Sequence, residues 1–288
     1  MKIYRYLVLL LFFIVGTYLV YIYLPVDAAG PRSDLPAIGL NWNDLPQLGT
    51  DWRFAFQPAL LQFPDVYSGS SLIYNPPWAL LPLLPVALLS PGLGTAVMFV
   101  LNLLCWAYVV YRFRLSPIYF VVFLLFSNVI INCWNGNIEG LVALGLILPQ
   151  PIGILFLLAK PQFGGAVVLY WVVDAWRSRG FQAATRLVLP AVIAILVSLF
   201  LFGPWAAHGA SLPDKDWNVS VFPWGVPAGV ILLGLSIWRR DIRFAMMASP
   251  FFSPYLARYT WSIVWFGALL FVPRFDTLYR RITHGRYA

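Results

Sequence analysis

The chain has 288 residues, of which 61% are hydrophobic and 10% are charged, and its net charge is +8. Soluble domains carry about 25% charged residues, so this composition excludes an ordinary soluble domain and predicts an all-α polytopic integral membrane protein. The basic residues lie in short runs between apolar segments. This distribution is typical of the cytoplasmic loops of membrane proteins and argues against a nucleic-acid partner.

The N-terminal segment begins with Lys2 and Arg5 and continues as a long apolar run. The run is longer than the apolar core of a signal peptide, and no small-residue cleavage site follows it cleanly. We therefore predict an uncleaved transmembrane helix over 6–24, with the N-terminus in the cytoplasm. Residues 25–75 then form the first external loop.

The second half of this loop predicts an amphipathic helix. The first half is rich in proline, glycine, asparagine and aspartate and should be irregular. From Thr50 onward large apolar side chains recur at helical spacing, namely Trp52, Phe56, Ala59, Leu60 and Phe63. Thr50 or Asp51 would cap this helix, and Pro58 would kink it. We expect the helix to lie flat on the outer leaflet with its apolar face toward the lipid.

Residues 76–272 predict the rest of a single transmembrane domain, 1–288, built as a bundle of about ten helices. The predicted spans are 6–24, 76–90, 95–111, 117–133, 137–149, 152–176, 185–203, 222–238, 243–252 and 255–272. An even number of spans places both termini, including the tail 273–288, in the cytoplasm of a multi-pass plasma-membrane protein. Arg112 and Arg114 are the exception, because this topology puts them outside.

Three places in the bundle predict irregular backbone. Spans 137–149 and 243–252 are too short to cross about 30 Å of hydrocarbon, and "AKPQFGG" interrupts span 152–176. Irregular backbone at membrane depth is tolerated where protein or a water-filled cavity covers it. We therefore predict a solvent-accessible cleft within the bundle.

The acidic residues are few, so each is a candidate for chemistry. Asp51 has two interpretations: an N-cap that contributes about 1 kcal/mol to its helix, or a base that takes a proton from a hydroxyl nucleophile. Asp65 lies in a turn and Asp44 is a reserve candidate. Glu139 is the only glutamate, at the start of a short span. It is a functional candidate, a member of a buried ion pair, or a carboxylate that favours a helix start.

The candidate cations are Lys160 and Arg258. Lys160 lies between apolar runs, where an unpaired ammonium costs about 2.5–3.5 kcal/mol, so it needs an anion such as Glu139 or the phosphate of a lipid-linked ligand. Arg258 suits a phosphate through paired hydrogen bonds, or it snorkels to the interface. His208, in the second external loop, is a ligand contact or has no role. No residues have metal-site or nucleotide-site spacing, so we predict no metal and no cofactor.

Four segments, taken in order, resemble a known family. They are "GTDWRFAFQPALL" with its continuation "VYSGSSLIYNPPW", then "WNGNIEGLVALGLIL", "GILFLLAKPQFGGAVVLYW" and "MMASPFFSPYLARYTW". Their order resembles the bacterial polyprenol-phosphate-mannose-dependent mannosyltransferases of the GT-C glycosyltransferase superfamily. The chain is shorter than typical members, and Asn137 stands where the family usually has glutamine.

The resemblance implies a GT-C-like bundle and a membrane glycosyltransferase whose active site faces away from the cytoplasm. Asp51 would be its catalytic base, and Lys160 and Arg258 would bind the phosphate of a polyprenyl-phosphate sugar donor. The expected reaction transfers a hexose, with mannose the first expectation, to a lipid or glycan hydroxyl with inversion and without a metal. The expected substrate contacts are Tyr74, Asn135, Asn137, Glu139, Gln162, Tyr259 and His208.

Two alternatives remain open at the level of sequence. The first is a non-catalytic GT-C-like membrane subunit of a larger complex, which the shortness of the chain and Asn137 favour. The second is a lipid or sugar transporter, because broken helices and a lysine at mid-membrane depth also suit a substrate path. Membrane lipids are partners under every interpretation.

Overall fold

The computed structural model describes residues 2–24, 48–67, 73–207 and 218–272, and within these ranges the protein is helical and has no strand. The chain divides into two compact units. Unit 1 comprises Met1–Cys105, Ile131–Leu141 and Val192–Ser211, and unit 2 comprises Trp106–Ile130, Val142–Ala191 and Leu212–Ala288. The irregular half of the first loop, His208 and the tail 273–288 lie outside the described residues.

Fourteen α-helices occur in the described ranges. They are α1 (Lys2–Tyr23), α2 (Gln57–Leu61), α3 (Pro77–Leu80), α4 (Leu84–Ala87), α5 (Pro91–Arg112), α6 (Pro117–Leu124), α7 (Ser127–Asn135), α8 (Glu139–Ala143), α9 (Gln150–Leu158), α10 (Pro161–Arg179), α11 (Phe181–Phe202), α12 (Val226–Arg239), α13 (Ile242–Ala248) and α14 (Ser262–Leu269). A π-helical turn, Trp52–Phe56, precedes α2. Short 3₁₀ segments occupy Leu81–Leu83, Leu144–Leu146, Ser249–Phe252 and Arg258–Trp261.

Two of the described helices, α5 and α11, are long and apolar enough to cross a membrane, with 22 residues each. The pair α6 and α7, bent by 50°, makes a third span if it crosses as one unit. The structure therefore supports an all-helical protein with two or three candidate spans, and the predicted ten-span bundle is not confirmed. Several predicted spans are divided into helices shorter than a membrane requires.

Proline explains where two predicted spans divide. Span 76–90 becomes α3, a 3₁₀ turn and α4, with Pro82 and Pro85 near the start of the second and third pieces. Span 152–176 divides into α9, which ends at Leu158, and α10, which begins at Pro161. Proline lacks an N–H and its ring clashes with the preceding turn, so it is tolerated at the start of a helix and not in its interior. The predicted irregularity at "AKPQFGG" is thereby confirmed.

The segment around Trp52 packs in the core of unit 1. A Cβ atom on Gly94 would lie 2.7 Å from Nε1 of Trp52, and one on Gly136 would lie 2.8 Å from Cβ of Trp52. A side chain at either glycine would therefore displace Trp52, which is 0% exposed. Gln57 on the following turn donates from Nε2 to the carbonyls of Ala87 and Leu89, at 3.0 and 2.9 Å, where α4 ends.

These contacts correct the prediction of a helix lying on the membrane. Four of the five side chains predicted to face lipid are buried inside the protein, and Phe63 is the exposed one. The polar residues Arg53 and Gln57 are also buried. The apolar face is therefore covered by protein, because the small side chains of Gly94 and Gly136 leave room for the indole and the polar residues find partners on α4 and α5.

In unit 2 the core is organised around the indole of Trp106. Its ring centroid lies 5.1 Å from Phe123, 5.7 Å from Phe163 and 6.0 Å from Phe266, so α5 packs against α6, α10 and α14. Such tilted and edge-to-face aromatic pairs add about 0.5–1.5 kcal/mol each beyond the area that they bury. This packing fixes the position of α10, and Lys160 immediately precedes the first turn of that helix.

Asp241 links α12, α13 and α14 through Arg243. It caps α13 by accepting from the backbone N–H of Arg243 at 3.0 Å, and its carboxylate pairs with the guanidinium at 2.5 Å. The same guanidinium donates to the carbonyl of Leu270 at 2.9 Å. Burial alone would raise the pKa of Asp241, but the hydrogen bonds and the charge of Arg243 hold this pKa below its usual value.

The depressed pKa predicts acid sensitivity. A carboxyl whose pKa is lower in the folded than in the unfolded protein stabilises the fold above the unfolded pKa, about 4, and this contribution is lost as pH falls through the folded value. We expect Asp241→Asn to lower the melting temperature at pH 7, and the difference from wild type to shrink as pH falls below about 4. Thermal unfolding of both proteins in detergent across pH measures this. A difference that stays constant with pH contradicts the role of the carboxylate charge.

Candidate functional site

The candidate site in unit 1 is built around the carboxylate of Asp51. Asp51 has helical backbone angles, φ −68° and ψ −39°, and its side chain makes no capping hydrogen bond. Instead, Oδ2 of Asp51 accepts from Nδ2 of Asn137 at 2.8 Å. The capping interpretation of Asp51 is therefore wrong. Asp51 is partly exposed while Trp52 and Arg53 are buried, so its carboxylate lies at the edge of the core of unit 1.

Asn137 is held so that its amide nitrogen faces this carboxylate. Its Oδ1 accepts from the backbone N–H of Ile138 at 2.8 Å, and the backbone N–H of Asn137 donates to the carbonyl of Asn132 at 3.3 Å. Gly136, just before it, has φ +68°, a conformation that favours glycine and turns the chain after α7. An asparagine amide has one acceptor and one donor group, so the bond to Ile138 fixes which of them points at Asp51.

The backbone that carries Asp51 is also fixed on both sides. Gly49 donates its N–H to the carbonyl of Trp134 at 2.7 Å, and Arg53 donates its N–H to the carbonyl of Gly49 at 2.7 Å. Nε of the buried Arg53 donates to Oγ1 of Thr95 on α5 at 3.1 Å. Asp51 therefore stands between two anchored residues, which is the rigid support that a catalytic or binding group needs.

Glu139 begins α8 and is fully buried, 0% exposed. The N–H of Gly140, the next residue, donates to Oδ1 of Asn102 at 3.0 Å, and Nδ2 of Asn102 donates to the carbonyl of Met98 at 2.9 Å. Asn102 thus fixes the first turn of α8 to α5. The position of Glu139 as the first residue of α8 is the one expected of a carboxylate that favours a helix start. Asn135, at the end of α7, is half-buried.

In unit 2 three of the predicted site residues lie close together. Lys160, between α9 and α10, is 5% exposed, and its Nζ lies 4.6 Å from the ring centroid of Tyr259. A cation over an aromatic face at this distance is stabilised by about 0.5–2 kcal/mol. Gln162, in the first turn of α10, donates from Nε2 to the hydroxyl of Tyr255 at 2.6 Å. We call Lys160, Gln162, Tyr255 and Tyr259 the polar cluster of unit 2; Tyr255 is half-buried and the other three are buried.

Arg258 differs from this cluster in being exposed. It begins the 3₁₀ segment Arg258–Trp261, in which successive side chains point about 120° apart, so Tyr259 is buried while its neighbour is not. The carbonyl of Arg258 accepts from Nδ2 of Asn128 at 2.6 Å, which fixes the backbone and leaves the guanidinium on the surface. This is the environment expected under the snorkelling alternative.

Tyr74 is half-buried in unit 1, and burial raises the pKa of its hydroxyl. Nearby in sequence, the hydroxyl of Tyr67 donates to the carbonyl of Asn75 at 2.5 Å, and burial raises its pKa as well. The Tyr67 ring lies 6.4 Å from that of Trp205, which makes an edge contact with Trp78 at 5.8 Å. These rings connect the end of the first loop to the segment after α11.

Sequence reasoning missed Asn102 and Tyr255. Asn102 is a lone amide in the apolar run "FVLNLLCW", and a polar residue in such a run needs a buried partner, so a signal was present. Tyr255 lies in the quoted "SPYLARY", but nothing in its spacing distinguishes it from Tyr259. In the described part of the chain no group of three or more His, Cys, Asp or Glu side chains is placed to hold a metal ion.

Comparison with protein families, with curated proteins and with solved structures found no match. The class that the fold defines is an all-helical protein with two or three helices long and apolar enough to span a membrane. Each of its two units carries a polar site among its own residues.

Proposed function

We propose that the protein is a membrane glycosyltransferase, on the non-cytoplasmic face, that moves a hexose from a polyprenyl-phosphate donor to an acceptor hydroxyl. The observation that carries this proposal is the hydrogen bond from Nδ2 of Asn137 to Oδ2 of Asp51, on a carboxylate that remains partly exposed. An aspartate used as a structural cap would bond to its own helix, whereas this one is oriented by a separate segment. A general base needs such fixed placement within about 2.6–3.2 Å of the proton that it removes.

In the proposed reaction Asp51 accepts the proton of the acceptor hydroxyl as its oxygen attacks the anomeric carbon of the sugar. The bond between that carbon and the phosphate oxygen breaks, and polyprenyl phosphate leaves with the electron pair. The new glycosidic bond forms on the opposite face of the sugar, so one displacement inverts the anomeric centre. The sequence resemblance supports mannose as the first donor to test.

The cluster in unit 2 supports the proposed role of Lys160 in binding an anion. Its ammonium is buried over Tyr259, next to the N-terminus of the 19-residue helix α10. Backbone N–H groups at a helix N-terminus and a lysine both favour negative charge.

Replacing Lys160 by methionine tests this role. We expect Lys160→Met to raise KM for the polyprenyl-phosphate sugar about 10- to 100-fold, because a hydrogen bond to a charged group contributes about 1.5–3 kcal/mol. Arg258→Gln is the comparison in the same unit and should have a smaller effect, since its guanidinium is exposed. Steady-state kinetics at saturating acceptor measures both. Wild-type KM in Lys160→Met would rule out the phosphate contact.

The test of the proposed function is transfer from radiolabelled polyprenyl-phosphate mannose and glucose by membranes that contain the protein. Transfer by wild type that is lost in Asp51→Asn supports the proposal. Wild-type protein that is inactive with every donor contradicts it.

A non-catalytic membrane subunit is the second candidate. It is favoured by the two intramolecular bonds of Asn137, whose Oδ1 and Nδ2 both have partners within the chain, as a purely structural asparagine would. Stable co-purification with a second membrane protein, without transfer activity in the isolated chain, would favour this candidate. Nothing in the described contacts favours the transporter interpretation.

A further inference from the structure

The C-terminal ends of α10 and α12, together with the start of α11, carry exposed aromatic and basic side chains in unit 2. We call this set the arginine–tryptophan patch, and it consists of Trp176, Arg177, Arg179, Phe181, Arg186, Trp238, Arg239 and Arg240. Its large rings are strongly exposed: Trp176 is 59% exposed, Phe181 73% and Trp238 70%. Such exposure is unfavourable for apolar rings in water and indicates a surface that is covered by another phase or molecule.

The two helix ends are held together within unit 2. Nε of Arg240 lies 3.8 Å from Oδ1 of Asp174, which joins the turn after α12 to the last turns of α10. The guanidinium of Arg239 lies over the ring of Trp238, 4.6 Å from its centroid. The basic groups and the tryptophans therefore share one end of this helix pair.

The charge of this region is strongly positive. Residues 174–186 and 238–243 contain six arginines against two aspartates, a net charge of +4. The two aspartates pair with Arg240 and Arg243. In the described part of the chain Arg177, Arg179 and Arg186 belong to no ion pair, so their guanidinium groups are available to an external anion.

We propose that the arginine–tryptophan patch binds the phosphate headgroups of anionic phospholipids. Tryptophans with one apolar face and a polar N–H settle at the boundary between acyl chains and water, and arginines at the same level bind phosphate with paired hydrogen bonds. A soluble polyanion would match the charge but not the exposed rings. The proposal is independent of the glycosyltransferase assignment and concerns a different surface.

The experiment is native mass spectrometry of the purified full chain in detergent, titrated with dioleoylphosphatidylglycerol or dioleoylphosphatidylcholine. We expect wild type to retain the anionic lipid preferentially. The double variant Arg177→Gln, Arg179→Gln should weaken the binding of phosphatidylglycerol about 30-fold, the effect of two arginines near an anionic surface. Binding of phosphatidylcholine should not change.

The matched control is Arg112→Gln, Arg114→Gln, which removes the same charge from an exposed pair elsewhere in unit 2. We expect it to keep the preference for phosphatidylglycerol. Raising NaCl to 0.5 M should weaken the binding of the anionic lipid to wild type, which tests the contribution of charge without a substitution. Equal retention of the two lipids by wild type would overturn the proposal. So would an equal loss of phosphatidylglycerol binding in the two double variants.

Discussion

Asp51→Asn is expected to lower kcat for sugar transfer by 10²- to 10⁴-fold, the range that a positioned general base contributes. The substitution keeps the size of the side chain, and the new amide oxygen can still accept from Asn137. The fold of unit 1 should therefore survive, with a melting temperature close to that of wild type. The measurement is the rate of transfer from a radiolabelled polyprenyl-phosphate sugar at saturating donor.

Asp65→Asn provides the matched control for this substitution. Asp65 follows Asp51 by one short helical segment and is exposed at the surface. It should transfer sugar at the wild-type rate. If Asp51→Asn is as active as Asp65→Asn, Asp51 is not the base and the proposed function loses its main support.

The helical content and the presence of helices that could span a membrane were predictable from composition, but the points at which the helices divide were only partly predictable. The breaks at Pro161 and at "NGNIEG" follow from local chemistry, since proline begins helices and Asn-Gly turns end them. The burial of Trp52 was not predictable. It depends on Gly94 and Gly136, which are distant in sequence and which no periodicity in the first loop reveals. A helical apolar stripe indicates that something covers it, not whether protein or lipid does.

The candidate site, like the fold, was only partly predictable from the sequence. Asp51 was selected as a candidate because acidic residues are scarce in an apolar chain, and Lys160 because a buried ammonium requires compensation. The sequence resemblance selected Asn137 as a substrate contact, whereas the structure gives it two intramolecular bonds. The supports of the site, Asn102 for α8 and Thr95 for Arg53, act across 38 and 42 residues of sequence. Such partners follow from packing, which no local pattern encodes.

Asn137→Asp is the sharpest test of how Asp51 is oriented. The variant keeps an oxygen that can accept from the N–H of Ile138, so the turn after Gly136 should persist. It replaces the amide group that lies 2.8 Å from Oδ2 of Asp51 with a second carboxylate oxygen. Two carboxylates this close either share one proton or move apart. In the first outcome the carboxylate of Asp51 is less available to accept a proton, and in the second it leaves its position. We therefore expect kcat to fall by about 100-fold while KM for the donor stays within about twofold.

Asn135→Asp is the matched control for this second substitution. It makes the same chemical change two residues earlier, at a half-buried position that ends α7. A general sensitivity of this segment to negative charge would lower kcat in both variants, whereas a specific contact with Asp51 lowers it only in Asn137→Asp. Because the resemblance also implies a substrate contact at Asn135, loss of that contact should appear as a higher KM in Asn135→Asp, and only kcat is compared. Wild-type kcat in Asn137→Asp would show that the hydrogen bond does not orient the base.

The double variant Asp51→Asn, Asn137→Asp separates repulsion from misfolding. It restores an amide–carboxylate pair with the two groups exchanged, so the melting temperature should return toward that of wild type while transfer stays low. Recovery of stability without activity means that the carboxylate must be at position 51, on the backbone anchored by Gly49 and Arg53. Recovery of activity would mean that either side of the pair can supply the base, and the role assigned to Asn137 would then be wrong.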